Sequence, residues 1–132
     1  MLSGKRPDDL GAKDGRLARS KRTPNCVSSQ AELADIGHYI APITFKGAAA
    51  QAIAAAKAAL QSMPRVKIVH EEAGYLYAEC RSRLLGYVDD LEFVFDAKAG
   101  VLHVRSASRL GHSDLGVNRS RVEALRKLIA AR

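Results

Sequence analysis

The sequence predicts an α+β protein in which two helices cover one face of a five-stranded, antiparallel-rich sheet. Two segments, residues 46–63 and 117–131, carry apolar residues at helical spacing. Four others alternate apolar and polar side chains and are joined in pairs by short turns that contain glycine, which is typical of hairpins. With one further strand near residue 40, the predicted order is β-α-β-β-β-β-α, and 132 residues are enough for one core.

The first 23 residues differ in composition from the rest and are predicted to form a basic N-terminal arm. Residues 1–22 hold seven Lys or Arg against three Asp and few large apolar side chains. Such a stretch cannot offset its own ordering entropy with a core, so it is either free or laid over the domain. Residues 24–132 are predicted to form a single α+β domain.

The elements of that domain follow in order from local signals. The segment TPNCVSSQ, residues 23–30, is interpreted as a turn that pins the arm, because Pro24 and Asn25 favour turns. Pro42 places the first strand at a sheet edge, and Pro64 ends the first helix. Asn118 or Ser120 is the expected cap of the last helix. The predicted strands are residues 38–45, 66–70, 75–83, 88–95 and 101–109.

The second hairpin allows a prediction of its register. Pairing Phe95 with Leu102 keeps the apolar face intact, whereas a slip of one residue would place an apolar side chain beside Arg105. The favoured register sets Glu92 directly opposite Arg105 on the other face. The sequence therefore predicts a structural ion pair between Glu92 and Arg105.

The face of the sheet opposite the helices is predicted to be open and polar. Alternation along the strands assigns to it aromatic, acidic and basic side chains, namely Tyr75, Tyr77, Glu79, Arg81, Arg83, Asp90, Glu92, His103, Arg105 and Arg109. The element order is that of the repeat unit in the TATA-binding-protein-like fold, which is an analogy of topology alone.

Basic residues gather around a glycine-punctuated loop and indicate an anion site. Gly111 and Gly116 permit close backbone approach, and the following helix N-terminus attracts negative charge. We expect the arginines to converge on a phosphate or a carboxylate, unless they bridge acidic residues as part of the fold. The candidate ligand-binding residues are Arg105, Arg109, Ser113, Asp114, Asn118, Arg119 and Arg121.

Five segments together resemble a known family. They read RPDDLGAKDGRL, TPNCVSSQ, AECRSRLLGYVDDLEF, VRSASRLGHSDLG and VNRSRVEALR, and they span nearly the whole chain. These segments resemble the uncharacterised family called domain of unknown function 1499. The resemblance implies a small α+β domain of bacteria and plastids, often behind a signal or a lipid anchor, with no established catalytic residues. Ser20-Lys21 stand where the family usually has a cysteine followed by proline.

Composition narrows the remaining function classes. The start lacks the apolar stretch of a secretory signal, and no run is long enough to span a membrane, so a cytoplasmic location is expected. Cys26 and Cys80 form no CxxC pair or Cys/His cluster, and no metal or cofactor is predicted. Asp89 and Asp90 point to opposite faces of their strand, so they are not a paired acid and base.

The sequence therefore favours a non-catalytic binding or structural module. Its partner would be an anionic small molecule or a protein, recognised through the polar face and the loop at residues 111–121. The first alternative is an enzyme with Cys26 as nucleophile and His112 or His103 as base. The second is nucleic-acid binding, which the net charge of +7 supports but the shortage of stacking aromatics opposes.

Overall fold

Residues 3–131 are described by the computed structural model, and they form an α+β fold with an antiparallel sheet. In chain order the elements are β1 Cys26–Ser28, β2 Ile43–Thr44, α1 Ala49–Gln61, β3 Val66–Glu72, β4 Tyr75–Arg81, β5 Val88–Asp96, β6 Val101–Ser108 and α2 Val117–Ala130. The two helices and both hairpins are confirmed, and their ends differ by a few residues from the predicted bounds.

The sheet has six strands in the described part of the chain, so the prediction of five is wrong. Its order is β1-β6-β5-β4-β3, and β2 pairs with β6 beside β1. The additional strand is β1, which the sequence indicated as a turn. Three residues are too few to show alternation, and all three are buried, so no periodic signal exists. The predicted strand 38–45 is reduced to Ile43–Thr44 because β1 and β2 share the outer edge of β6.

Both helices pack on one face of the sheet, as predicted. In α1 the alanines Ala52, Ala56 and Ala59 are completely buried, and their small side chains let the helix approach the strands closely. In α2 the apolar stripe of Val122, Leu125 and Ile129 enters the same core. Apolar side chains of β4, β5 and β6 fill the other half of it, namely Leu76, Ala78, Cys80, Leu91, Phe93, Leu102 and Val104.

The opposite face of the sheet is not open, which corrects the prediction. Residues 3–23 lie across it, and Leu17 packs with Tyr75, Tyr77 and Val94 in a second, smaller core. The arm binds chiefly through its polar groups, because the strands beneath it present carboxylates that accept hydrogen bonds. We call the surface formed by Tyr75, Tyr77, Glu79, Asp90, Glu92, Val94, Arg105 and Arg109 the arm-covered face.

The start of α2 also differs from the predicted cap. Asp114, not Asn118 or Ser120, satisfies the first turn: its Oδ2 accepts from the Asn118 amide at 2.9 Å and its Oδ1 from the Gly116 amide at 2.9 Å. These bonds lower the pKa of Asp114 although burial opposes the shift. Gly116 has φ of 80°, a left-handed conformation that glycine adopts without strain.

Candidate functional site

The arm-covered face holds a cluster of buried opposite charges around Arg109. Its guanidinium binds Asp90 through two bonds of 2.9 Å and Glu79 through one of 2.6 Å. From the arm, Arg6 binds the same Glu79 oxygen at 2.7 Å and lies over the ring of Tyr77. Burial raises the pKa of Glu79, but the hydrogen bonds from Arg6 and Arg109 outweigh it and leave that pKa lowered. Arg109 therefore already has carboxylate partners within the chain.

Glu92 and Arg105 face each other across β5 and β6, so the predicted register is confirmed. Their side chains form no charged contact within 4 Å, however, in the part of the chain that is described. Glu92 Oε2 accepts instead from the Gly11 amide at 2.8 Å and from the Tyr75 hydroxyl, while Arg105 donates to the Arg19 carbonyl at 3.1 Å. The arm and Tyr75 of β4 thus take the bonds that the ion pair was expected to form.

Both side chains also keep one buried polar atom without a partner. These atoms are Glu92 Oε1 and Arg105 Nε. Burial is the main cause that raises the pKa of Glu92, although the bonds from Tyr75 and Gly11 act the other way. An unsatisfied buried polar atom typically costs about 1–3 kcal/mol, so these two atoms oppose the stability of this part of the face.

A second polar network joins β6 to α2 on the helix side of the sheet. The side chain of Asn118, which is completely buried, accepts from Ser106 at 2.6 Å and donates to Ser108 at 2.9 Å. Beside it, Arg121 binds Asp89 at 2.9 Å and also donates to Ser106. These residues fix α2 on the sheet, because its side chains bind residues of both β6 and β5.

The candidate ligand-binding residues therefore do not converge on one point. Arg105 and Arg109 lie on the arm-covered face, whereas Arg121 lies on the helix side and Arg119 donates to the carbonyls of Ile36 and Gly37. The sheet itself separates them, because Arg105 and Arg109 lie on one of its faces and α2, which carries Arg119 and Arg121, packs on the other. Asp114 and Asn118 serve the helix start, and Ser113 accepts from the Leu115 amide at 3.3 Å.

The two candidate catalytic residues also lie in different environments. Cys26 has no exposed surface and forms part of β1, while His112 is exposed on the loop after β6. No hydrogen bond joins them among the described residues. A nucleophilic thiol needs access to substrate, so the location of Cys26 opposes that role. Cys80 is buried as well, and burial raises its pKa to about 11.

The structure brings together one trio that the sequence did not reveal. Ser29 Oγ lies 3.0 Å from His103 Nδ1, and His103 Nε2 lies 3.7 Å from Asp96. The trio borders a cleft of about 770 Å³. Ser29 Oγ also accepts from the Val104 amide at 2.8 Å, and the residue is buried, so its hydroxyl ties β1 to β6. Residues this far apart in sequence give no local signal for such a contact.

At one end of the sheet, exposed apolar side chains are concentrated on two neighbouring loops. Among the described residues, eight large hydrophobic side chains are exposed, and six of them lie in residues 82–87 and 110–117. They are Leu84, Leu85, Tyr87, Leu110, Leu115 and Val117. We call these two loops the leucine end. The sequence could not indicate this surface, because Leu84 and Leu85 lie between two predicted strands, where no periodic pattern shows whether a side chain is exposed.

The local structure keeps those leucines outside the core. The first loop is closed at its neck, where the Ser82 amide donates to the Tyr87 carbonyl at 2.8 Å and the Tyr87 amide donates to Ser82 Oγ at 2.9 Å. The residues between them therefore form a projecting tip. In the second loop Leu115 has φ of 54°, a left-handed conformation that is unusual for leucine. Leu84 and Leu115 remain 90% and 94% exposed.

A small cleft lies between the two loops and connects them. It has a volume of about 280 Å³ and is bordered by apolar side chains of both loops, with Tyr87 from the first and Leu110, Leu115 and Val117 from the second. Basic residues surround this end: Arg83 is exposed on the first tip, and Lys21 donates to the Ser108 carbonyl at 2.6 Å. The leucine end is thus an apolar surface with a basic border.

The comparison with protein families assigns the chain. The model of the family described as protein of unknown function (DUF1499) matches residues 16–129. The chain belongs to this family. The comparisons with curated proteins and with solved structures found no match. The match includes both loops of the leucine end and both polar networks, and it begins after Arg6 and Gly11 of the arm.

Two further properties characterise this DUF1499 chain. Across residues 3–131, no helix is both long and apolar enough to cross a membrane. In the same residues, no group of three or more His, Cys, Asp or Glu side chains has an arrangement that could hold a metal ion. Among the described residues, the leucine end holds most of the exposed large hydrophobic side chains.

Proposed function

We propose that this protein is a non-catalytic interaction module that docks on its partner through the leucine end. The observation that carries the proposal is the concentration there of six of the eight exposed large hydrophobic side chains of the described chain. Exposed apolar patches of this kind mark interaction sites in soluble domains. The proposal keeps the binding role expected from the sequence and moves its site to the two loops.

The alternatives have weaker support. Arg109 and Arg121 already bind carboxylates of their own chain, which argues against a small anion as their ligand. Cys26 has no exposed surface, which argues against a thiol enzyme. Nucleic-acid binding on the sheet, which the TATA-binding-protein-like analogy suggested, would need stacking aromatics, but Tyr75 and Tyr77 are buried beneath the arm.

Hydrophobic interaction chromatography tests this proposal, because retention reports the accessible apolar surface of the folded protein. The double variant Leu84→Ser/Leu115→Ser should elute clearly earlier than the wild type. The matched control is Leu33→Ser/Ile36→Ser, which removes the two exposed large hydrophobic side chains that lie elsewhere in the described chain. If the control loses as much retention as the loop variant, the leucine end is not the dominant contact surface and the proposal fails.

A further inference from the structure

The partner of the leucine end can be inferred from its shape and charge. We infer that the leucine end docks onto a lipid bilayer whose surface carries anionic headgroups. This inference rests on the proposed docking function and adds the chemistry of the partner. Three features of the two loops support it: the projecting tips, the basic border and the position of Tyr87.

The first feature is the projection of the leucines. Leu84 and Leu115 expose 90% and 94% of their surface on two separate tips, and the tip of the first loop stands on the neck between Ser82 and Tyr87. A projecting apolar tip can enter the acyl boundary of a bilayer without needing a complementary pocket. The residues that dominate protein interfaces instead lie in well-packed central pockets, and leucine is under-represented among them.

The second feature is the sign of the charge at this end. Arg83 is exposed on the first tip, Lys21 lies at the end of β6, and Lys5 is exposed beside Gly4, which approaches Leu110. Basic residues next to a membrane are attracted by anionic headgroups, and this attraction adds to the apolar contact. The border thus supplies the second of the two signals that stable surface binding requires.

The acidic residues of the same end do not cancel that charge. Asp89 is bound to Arg121 at 2.9 Å, and Asp114 accepts from the Gly116 and Asn118 amides at the start of α2. The charge of Asp89 is therefore balanced by Arg121, whereas Asp114 keeps one negative charge against the three basic residues of the border. The basic residues of the border are left to interact with a surface outside the fold.

The third feature is the position of Tyr87 at the base of the first tip. Its side chain is partly exposed and borders the cleft between the loops. Tyrosine is favoured at the boundary between lipid and water, because its ring is apolar and its hydroxyl can remain hydrated. Leucine on the tip and tyrosine at its base follow the order of layers in a bilayer surface, from the acyl region to the interface.

Vesicle co-sedimentation tests the inference with the full chain. The probes are vesicles of phosphatidylcholine alone and vesicles of phosphatidylcholine mixed with phosphatidylglycerol. The wild type should sediment with the mixed vesicles and bind the neutral ones much less. Raising the salt from about 0.1 M to about 0.5 M should weaken binding, because the Debye length shortens.

Variants separate the apolar from the electrostatic contribution. Leu84→Ser/Leu115→Ser should reduce the affinity for mixed vesicles by roughly tenfold or more, since two apolar side chains lose their insertion. The control Leu33→Ser/Ile36→Ser should bind like the wild type, and circular dichroism should show that both variants are folded. Equal binding by the loop variant and the control would overturn the inference, as it would leave charge alone as the cause.

The two possible failures can be told apart. If the wild type does not sediment with mixed vesicles but the chromatography still identifies the leucine end, the membrane inference is wrong and the docking function stands with a protein partner. If the chromatography shows no difference between loop variant and control, the docking function itself is wrong. Binding of equal strength to neutral and mixed vesicles would also contradict the inference, since the basic border would then have no effect.

Discussion

The arm-covered face and the leucine end distribute polar and apolar side chains in opposite ways. On the arm-covered face Asp90, Glu92 and Arg105 are almost completely buried, whereas at the leucine end Leu84 and Leu115 are almost completely exposed. Folded proteins ordinarily do the reverse. The difference teaches that the charged residues beneath the arm build the fold, and that the exposed leucines require an explanation outside it.

The charged groups around Arg109 on the arm-covered face are paired with one another in a single arrangement. Arg109 reaches Asp90 and Glu79 only in the observed register of β4, β5 and β6, and Arg6 reaches Glu79 only when the arm is in place. A buried ion pair is weak evidence for high stability, since desolvation offsets much of the attraction. Its contribution here is to make one position of the arm preferable to others.

The largest effect should come from breaking the Arg109 cluster. The substitution Arg109→Ala leaves Asp90 and Glu79 without their main partner, so we expect the free energy of unfolding to fall by about 3–5 kcal/mol. Arg83→Ala is the matched control at the leucine end, where the change should stay within about 0.5 kcal/mol. Urea unfolding at neutral pH measures both. Equal losses would mean that the charged cluster does not distinguish the two regions.

The next prediction compares the loss of stability when each of two leucines is replaced by alanine. Leu17 is 7% exposed beneath the arm, and Leu115 is 94% exposed on its loop. Leu17→Ala should cost about 2 kcal/mol, because it removes buried apolar surface and leaves a cavity. Leu115→Ala should change stability by less than about 0.5 kcal/mol. The same unfolding measurement checks both, and a large loss at Leu115 would show that its side chain stabilises the fold after all.

The sequence predicted those parts of the fold that depend on local periodicity. The register of β5 and β6 followed from alternation and turn length, and both helices followed from apolar spacing ended by Pro64 or begun after a glycine loop. The sequence could not predict that the arm would cover the sheet, because Leu10 and Leu17 are too far apart to form a periodic pattern. The strand Cys26–Ser28 and the Asp114 cap depend on contacts with distant residues.

The candidate site was harder to predict than the fold. The arginines of the motif VRSASRLGHSDLG suggested a ligand because their density is visible in the sequence, whereas their partners Asp89, Asp90 and Glu79 are brought to them by strand pairing. The exposure of Leu84 and Leu115 is a property of the folded surface. The sequence alone does not distinguish an exposed leucine from a buried one.

A smaller effect is expected in the pH dependence of stability, to which two carboxylates of the arm-covered face contribute in opposite ways. Because the folded pKa of Glu79 is lowered, its stabilising contribution is present above the ordinary value of 4.5 and is lost as the pH falls. The folded pKa of Glu92 is raised, so the unfolded chain ionises first and stability declines as the pH rises above 4.5. Burial is the main reason for the second shift.

Substitution by glutamine should therefore move the pH of maximum stability in opposite directions. Glu79→Gln removes the acid-side loss and should move the maximum to lower pH, and Glu92→Gln should move it to higher pH. Urea midpoints recorded from pH 4 to pH 8 supply the measurement, with wild type in the same buffers. Shifts of the same sign would contradict the assignment of opposite environments to the two carboxylates.

The smallest effect concerns the thiols. Cys26 and Cys80 are both free and buried, so a disulfide-exchange reagent should label them in the native protein no faster than the protein unfolds. The substitution Leu115→Cys places a third thiol on the leucine end, where labelling should be rapid. Fast reaction of Cys26 in the wild type would contradict its burial. It would then support the hypothesis that the protein is a thiol enzyme.

The position of β6 has a consequence for the order in which the chain folds during synthesis. This strand lies between β5 and the edge strands β1 and β2, and the arm binds Glu92 through Gly11, which is 81 positions away. The N-terminal quarter of the chain leaves the ribosome first but has no surface to bind until the last third has emerged. We expect both termini to be secured together in one late step, and folding to be slower than in a helical protein of this size.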